Sequence, residues 1–215
     1  LKNPEIIVGT SFQRDPKYID DVFILGGNST LNRGLRSMQG VARDLENAKI
    51  TQIIYPLMQI VDMKSLNVDA VVAGMEQRKI HAMAIESLKE IGFEVPSFVH
   101  MPLIPSLKGE EAGKMSSSDA SGLISVKDSS EDIKKKISKA YCPEGSANPV
   151  LDIAKIIIFP VFEKLEVKRP EKFGGNKDYD NYNELEKDFL NGKLHPMDLK
   201  NIIGEKLAQM FDKVR

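Results

Sequence analysis

The sequence predicts an α/β fold with a parallel sheet, followed by a small all-helical domain. Two short apolar runs that end in glycine, "EIIVG" (5–9) and "VDAVVAG" (68–74), are typical of buried strands. Residues 75–92 follow the second run with helical spacing and end at a glycine, as helices often do. A helix flanked by apolar strands indicates an α/β layer. From about residue 128 onward, no alternating strand pattern occurs.

The remaining segments of the first part fit the same layer. Apolar residues recur at helical spacing over 31–47, although two glycines weaken that helix. Residues 50–64 predict another helix, and Pro56 inside it predicts a kink. The apolar run over 98–107 contains prolines, which are tolerated in an edge strand.

Helical patterns account for most of the second part. They cover 129–141, 150–159, 183–192 and 195–214, the last with Pro196 near its start, where a missing N–H costs nothing. We therefore place a domain boundary near 125, between residues 1–125 and residues 126–215.

Composition narrows the class of protein. With 215 residues, 41% of them hydrophobic, the chain can bury a sizeable core, and its net charge of −1 lacks the basic excess of a protein that coats nucleic acid. A single cysteine, Cys142, excludes a disulfide within the chain and suits a reducing, cytoplasmic setting. Scattered histidines predict no zinc site, and no apolar run approaches the ~20 residues of a membrane span. Because the sequence begins with Leu1 rather than Met, we expect it to be a fragment.

The stretch "GEEAGKMSSSDASG" (109–122) could handle phosphate. Lys114 supplies a cation, and the three serines that follow Met115 supply hydroxyls and closely spaced N–H donors. The stretch is not a Walker A loop, since three residues rather than four separate Gly109 from Gly113 and methionine follows the lysine. Taken alone, it fits a mobile surface loop equally well.

Its neighbours in the sequence favour the phosphate interpretation. "KMSSS" (114–118) resembles the second signature of class I aminoacyl-tRNA synthetases, usually written KMSKS. "YPLMQIVDM" (55–63) and "GMEQRKIH" (74–81) resemble the tyrosine-binding segments of tyrosyl-tRNA synthetases of the archaeal and eukaryotic type. "RPEKFGG" (169–175) and "LHPMDLKN" (194–201) resemble the anticodon-binding segments of that family. The order of the segments matches, and the resemblance covers nearly the whole chain.

The resemblance implies a partial Rossmann-like nucleotide-binding sheet over 1–125, with a helical dimerisation insertion at 14–50, and a helical anticodon-binding domain over 126–215. Within the insertion, Phe23, Ile24 and Leu25 are candidates for an apolar homodimer patch.

The resemblance also implies a tyrosine pocket. It assigns Asp62 to the phenolic hydroxyl of L-tyrosine, and Tyr55, Gln59 and Gln77 to the amino-acid head. Gln13 is a further candidate for the pocket lining. The spacing agrees, because positions 55, 59 and 62 lie on one face of a helix. A lone Asp or Gln on an apolar helix can also be a paired structural residue.

For ATP, which is a substrate here and is expected to carry Mg²⁺, the resemblance implies contacts from the signature loop. Lys114 would bind the phosphates, while Met115, Ser116, Ser117 and Ser118 shape the loop. Ser117 stands where the family usually has a second lysine. The family's first ATP signature, His-Ile-Gly-His, does not occur in the sequence. We therefore expect a C-terminal portion that cannot activate tyrosine alone.

For tRNA-Tyr, the resemblance places three basic residues at the first base pair of the acceptor stem: Arg36, Arg78 and Lys79. It places five residues at the anticodon: Phe173 as a stacking platform, with Asp198 accepting from a guanine edge beside His195, Pro196 and Met197. The alternatives are solvated surface for the basic residues, a core position for Phe173, and a helix-dipole role for Asp198.

The function that the resemblance implies is tyrosine-tRNA ligase, with ATP-dependent formation of tyrosyl-AMP and transfer to tRNA-Tyr. Two alternatives stay open at this point. One is a noncatalytic, synthetase-like RNA-binding protein, and the other is the related tryptophanyl enzyme.

Overall fold

The computed structural model describes residues 3–41, 47, 49–116 and 119–213, and the chain divides into two compact units, Leu1–Leu103 and Ile104–Arg215. This division falls earlier than the boundary near 125 predicted from the sequence. The reason is that Leu107 is buried in the core of the second unit and its carbonyl accepts from the N–H of Tyr141 at 2.7 Å. In the described residues, no helix is long and apolar enough to cross a membrane.

The described residues of the first unit form four α-helices: α1 (Pro16–Asn28), α2 (Leu31–Ser37), α3 (Ile50–Ser65) and α4 (Arg78–Ser87). Each of the first two begins at a residue whose side chain caps it. The Asp15 carboxylate accepts from the N–H of Lys17 at 2.8 Å, and the Thr30 hydroxyl accepts from the N–H of Arg33 at 3.3 Å. The buried faces of α1, α3 and α4 share one core, which Met38, just after α2, also joins.

The first unit contains a parallel pair of strands, as the sequence predicts. Strand β1 (Ala70–Gly74) pairs with β2 (Ser97–Met101), with Ala70 opposite Ser97. The connection runs through a 3-10 turn (Met75–Gln77), α4, and a second 3-10 turn that ends at Gly92, where φ is +71°. A connection that contains a helix is what a parallel pairing requires.

Two strand predictions need correction. The run 5–9 forms no strand: residues 4–8 have no regular structure, and Ile6 is 88% exposed. Strand β1 forms, but it is not buried, since Val72 is 68% exposed. A β-branched apolar run favours burial on both faces, but only a neighbouring strand and covering layers can provide it. The helix predicted over 31–47 ends at Ser37, and residues 42–46 and 48 lie outside the described residues.

The second unit is built on four helices: α5 (Ser130–Lys139), α6 (Pro149–Ile153), which continues as a π-helical turn (Ala154–Ile158), α7 (Tyr182–Leu190) and α8 (Pro196–Asp212). Helices α5 and α8 pack closely because α8 presents Gly204 to Ile137. A Cβ at Gly204 would lie 3.6 Å from the Ile137 side chain.

This unit is not all-helical, contrary to the prediction. Strand β3 (Leu165–Val167) pairs antiparallel with β4 (Lys177–Tyr179). Leu165 and Val167 are buried on either side of the exposed Glu166. Three residues are too few for alternation to stand out in a sequence.

Candidate functional site

The Asp62 carboxylate lies in the last turns of α3 and receives two side-chain hydrogen bonds on one oxygen. Its Oδ1 accepts from the Tyr18 hydroxyl at 2.8 Å and from Nε2 of Gln13 at 3.0 Å. Tyr18 comes from α1, and Gln13 from the loop that leads into α1. The structure therefore brings Gln13 to Asp62, and it positions the carboxylate through donors from outside α3.

Sequence reasoning did not identify Tyr18. The residue is only 3% exposed, and its hydroxyl also lies 2.9 Å from the carbonyl oxygen of Met58. Burial raises the pKa of the Tyr18 phenol well above its ordinary value, and the hydrogen bond to Asp62 raises it further. The phenol is thus a neutral donor. The available signal was Asp62 itself, because a carboxylate on a largely apolar helix requires a donor nearby.

The two glutamines of the predicted pocket also meet. Nε2 of Gln59 donates to Oε1 of Gln77 at 3.3 Å, which joins α3 to the 3-10 turn after β1. Oε1 of Gln59 is buried and has no hydrogen-bond partner among the described residues. A buried acceptor without a donor is costly, so a ligand N–H or ammonium would satisfy it. Tyr55 lies on the same helix and is 47% exposed.

A histidine pair that the sequence did not suggest links α4 to β2. Nδ1 of His81 lies 2.9 Å from Nε2 of His100, and the His81 ring stacks on Phe98 with centroids 4.5 Å apart. Burial lowers the pKa of His81, and the nearby His100 lowers it further. The neutral form of His81 is therefore favoured, and its ring packs as part of the structure of this unit.

The predicted basic residues divide into two places. Arg36 and Lys79 line the same cleft between α2 and α4. There the ammonium of Lys79 donates to Oε1 of Gln39 at 2.6 Å, and Arg33 pairs with Glu86. Arg78 is exposed at the start of α4 and does not line that cleft.

In the second unit, backbone bonds hold the start of the signature loop. The N–H of Ser106 donates to the carbonyl of Gly113 at 2.8 Å, and the N–H of Met115 donates to the carbonyl of Ile104 at 3.2 Å. Lys114 thus lies opposite Pro105 in a single antiparallel bridge, with its side chain exposed. Gly113 adopts φ +72°, a conformation that favours glycine.

The two residues that follow Lys114 in the loop are partly buried. Met115 is partly buried and packs against the core of the second unit, and Ser116 is also partly buried. Ser117 and Ser118 lie outside the described residues.

An ion pair closes the base of this loop. The ammonium of Lys108 lies 2.8 Å from Oδ2 of Asp119, and the N–H of Leu107 donates to the carbonyl of Gly122 at 3.0 Å. Asp119 also accepts from the hydroxyl of Ser121 at 2.7 Å. The hydrogen bond from Lys108, followed by that from Ser121, lowers the pKa of Asp119 to about 2. Sequence reasoning missed this closure because Lys108 and Asp119 lie at opposite ends of the loop.

The predicted anticodon residues of α8 lie at its first turn. Nδ1 of His195 accepts from the N–H of Met197 at 3.1 Å and caps the helix, and Pro196 occupies the first helical position. Asp198 is the acidic residue of the first turn, where the helix dipole favours it. Met197 and Asp198 line a common pocket.

Arg169 connects the other predicted anticodon segment, 169–175, with the residue that precedes segment 194–201. Its Nε donates to the carbonyl of Gly175 at 2.7 Å, and its Nη1 donates to the carbonyl of Lys193 at 2.8 Å. The guanidinium of segment 169–175 therefore contacts Lys193, the residue just before segment 194–201. Phe173 ends a 3-10 turn (Glu171–Phe173), and its side chain lies outside the described part of the structure.

Comparison with known proteins shows the family to which the chain belongs. The family model for tRNA synthetases class I (W and Y) matches residues 1–212, and the chain belongs to this family. Among the curated relatives, the tyrosine–tRNA ligase of Methanocorpusculum labreanum is 46% identical over 212 residues, covering 98% of this chain and 66% of the relative. The tyrosine–tRNA ligase of Methanobrevibacter smithii is 47% identical over 213 residues, with 98% and 66% covered. The chain spans about two thirds of the length of these relatives.

Solved structures of tyrosyl-tRNA synthetases are similar to the chain as well. The tyrosyl-tRNA synthetase of Archaeoglobus fulgidus, complexed with L-tyrosine, superimposes with a TM-score of 0.86 at 43% identity, covering 97% of this chain and 65% of that one. The enzyme from Pyrococcus horikoshii, also complexed with L-tyrosine, gives a TM-score of 0.87 at 34% identity, with 98% and 64% covered. These matches confirm the predicted α/β class I fold.

Proposed function

We propose that this chain carries the tyrosine pocket, the signature loop and the anticodon-binding helices of a tyrosine–tRNA ligase. The activity is ATP-dependent conversion of L-tyrosine to tyrosyl-AMP, followed by transfer of the tyrosyl group to tRNA-Tyr. The observation that carries the proposal is the Asp62 carboxylate, whose Oδ1 is held by Tyr18 and Gln13. The names of the relatives, and the L-tyrosine in two solved neighbours, support the choice of substrate.

In the proposed complex, the phenolic hydroxyl of the substrate donates to Oδ2 of Asp62. The substrate ammonium satisfies the buried Oε1 of Gln59, aided by Gln77 and Tyr55. Phenylalanine would offer Asp62 no donor. A hydrogen bond to a charged group is worth about 1.5–3 kcal/mol, and leaving its partner unpaired adds to the loss.

For activation, the tyrosine carboxylate attacks the α-phosphate of ATP, the bond to the β-phosphate breaks, and pyrophosphate leaves. The carboxylate is already a competent nucleophile, so the chain's task is to position groups and neutralise charge. Lys114, exposed on its short bridge, would neutralise the charge on the phosphates. Ser116, Ser117 and Ser118 would supply loop donors. Mg²⁺ would arrive with ATP, and we assign it no residue of this chain.

For tRNA-Tyr, Arg36 and Lys79 would contact the acceptor end from their shared cleft, together with Arg78. The pocket at the start of α8 would take an anticodon base, with Phe173 stacking on it. The hydrogen bond from Arg169, in segment 169–175, to the carbonyl of Lys193, next to segment 194–201, supports this part of the proposal.

We also propose a cytoplasmic homodimer. The face of α1 fits an interface, because Phe23 is 74% exposed and Ile24 is 44% exposed. Leu25 does not belong to that face: the structure buries it completely, so its prediction as part of the patch was wrong.

Calorimetric titration of the 215-residue chain tests the substrate. We expect heat and thermal stabilisation with L-tyrosine, and binding of L-phenylalanine at least about 10-fold weaker because it lacks the donor to Asp62. Asp62→Asn should lose most of this discrimination. Asp20→Asn, an exposed carboxylate on α1, is the matched control and should keep it.

The other outcomes decide between the alternatives. Preference for L-tryptophan would favour the tryptophanyl enzyme. Binding of tRNA-Tyr without binding of any of the three amino acids would favour the noncatalytic RNA-binding protein. Because the sequence contains no His-Ile-Gly-His signature, the 215 residues alone should give no tyrosine-dependent ATP–pyrophosphate exchange; robust exchange would contradict this expectation.

A further inference from the structure

A groove in the second unit is lined by four lysines. Lys135, Lys136 and Lys139 lie on one face of α5, and Lys108 comes from the entry to the signature loop. The groove has an apolar floor, since Leu107 is 2% exposed and is joined there by the buried Ala140. We call this feature the lysine groove.

The lysines differ in their local partners. Lys108 pairs with Asp119, and Lys136 pairs with Asp128 at 2.7 Å. Lys135 and Lys139 are exposed and make no ion pair with any part of the chain that the structure describes. The groove thus keeps two ammonium groups for an external anion.

The only acidic residue that lines the groove among the described side chains does not neutralise them. Asp132 lies at the other end of α5, where its backbone N–H and its carboxylate both bond to the hydroxyl of Ser129. An acidic residue at a helix N-terminus and lysines near its C-terminus complement the helix dipole. The positive end of the groove therefore lies at the C-terminal half of α5.

The two walls of the groove are fixed to each other. The N–H of Tyr141, just after α5, donates to the carbonyl of Leu107 at 2.7 Å. Gly109 lies against the Tyr141 ring, which a Cβ at that position would approach to 3.0 Å. These contacts hold the basic face of α5 beside the start of the signature loop.

We propose that the lysine groove binds the sugar–phosphate backbone of a tRNA strand that runs past the signature loop. This inference rests on the proposed function and adds to it an RNA contact outside the acceptor-stem and anticodon residues. Lys135 and Lys139 are one turn apart, about 6 Å along the helix axis, which gives a row of point charges rather than a converging cage. A row suits successive phosphates of a strand, whereas a free polyphosphate is gripped by converging donors and backbone N–H groups.

The test measures binding of a tRNA-Tyr transcript to the 215-residue chain by fluorescence anisotropy over a range of salt concentrations. The variant is Lys135→Ala with Lys139→Ala. The matched control is Lys134→Ala with Lys187→Ala, which removes the same charge from exposed positions outside the groove, one of them on α5 itself. Alanine favours helix, so both variants should fold, which circular dichroism would verify.

The slope of log affinity against log salt is negative, and each phosphate contact that a variant loses reduces its magnitude by about 0.7–0.9. For the groove variant, the magnitude of the slope should therefore fall by about 1.5, and the affinity at low salt should fall about 10-fold. The affinity of the control variant should change less than about 2-fold. Equal effects of the two variants would overturn the proposal. So would inorganic triphosphate that competes with the transcript only when the groove lysines are present, because the groove would then be a polyphosphate site.

The proposed function can fail separately. If the unmodified chain binds tRNA-Tyr no better than an unrelated transcript but the groove variant still loses affinity for both, the groove contact stands and the tRNA-Tyr assignment falls. If the chain prefers tRNA-Tyr and the groove variant keeps full affinity, the assignment stands and the groove contact falls.

Discussion

The hydrogen bond between Tyr18 and Asp62 is the contact whose removal tests the site most directly. Tyr18→Phe keeps the buried ring and deletes only the hydroxyl that donates to Oδ1 of Asp62 at 2.8 Å. A bond to a charged acceptor is worth about 1.5–3 kcal/mol, and the neighbouring donor Gln13 remains, so we expect a loss of about 1–2 kcal/mol. In a unit of this size, 1 kcal/mol corresponds to about 4–8 °C in Tm.

The assay is a double-mutant cycle. Tyr18→Phe, Asp62→Asn and the double variant are compared by urea unfolding and calorimetry at pH 7, and the coupling energy should be at least about 1 kcal/mol. The control cycle uses Asp21 and Lys64, which also join α1 to α3 at 2.6 Å but are partly exposed, so their coupling should stay within about 0.2–1 kcal/mol. Coupling below about 0.3 kcal/mol for Tyr18 and Asp62 would refute the reasoning.

The same bond has a definite pH dependence. Because the pKa of Tyr18 is raised in the folded chain above its ordinary value of 10.0, its contribution is complete below pH 10. It is lost as the pH rises toward the folded pKa. Stability of the unmodified chain should therefore fall above pH 10, and Tyr18→Phe should fall less steeply.

Three further predictions concern the second unit. Burial, together with hydrogen bonds to carboxylates, raises the pKa of Tyr179 and Tyr182, so their absorbance at alkaline pH should appear only as this unit unfolds, measured by spectrophotometric titration. Lys108→Ala should raise the pKa of Asp119 from about 2 toward its ordinary value of 3.8, measured by carbon NMR of the carboxyl group. In an activation-competent form of the protein, Lys114→Ala should lower kcat for pyrophosphate exchange by about 10²–10³ and change KM for tyrosine less than about 2-fold, because the lysine acts on departing phosphate.

For each of these three predictions, one experimental outcome would contradict it. Ionisation of Tyr179 or Tyr182 in the folded unit would show that the phenols are accessible. Lys127→Ala, at an exposed lysine after the loop, should leave Asp119 unchanged; an equal pKa shift there would assign the effect to general charge rather than to the ion pair. Equal losses in kcat and in tyrosine affinity for Lys114→Ala would mean that the loop does not act on the phosphates.

Local patterns predicted most of the helices and the spacing of the candidate site. Helix α3 runs over Ile50–Ser65, close to the predicted 50–64, because strong apolar periodicity is a property of the segment itself. Tyr55, Gln59 and Asp62 share a face of α3 for the same reason, since three and four residues make about one turn. Pro196 stands at the first position of α8, as predicted, because this preference depends only on the residue itself and its place in the helix.

The sequence by itself determined the family, the class of fold and the residues of α3 that face the site. Only the tertiary structure decided which groups complete that site. Tyr18 reaches Asp62 across 44 positions and Gln59 meets Gln77 across 18, so neither pair leaves a periodic signal. The tertiary structure also decided that residues 5–8 stay exposed, since a strand forms only where a neighbouring edge can pair with its N–H and C=O groups. The spacing of residues in the sequence predicts the local structure of a segment, whereas hydrogen bonds between distant segments depend on how the chain packs.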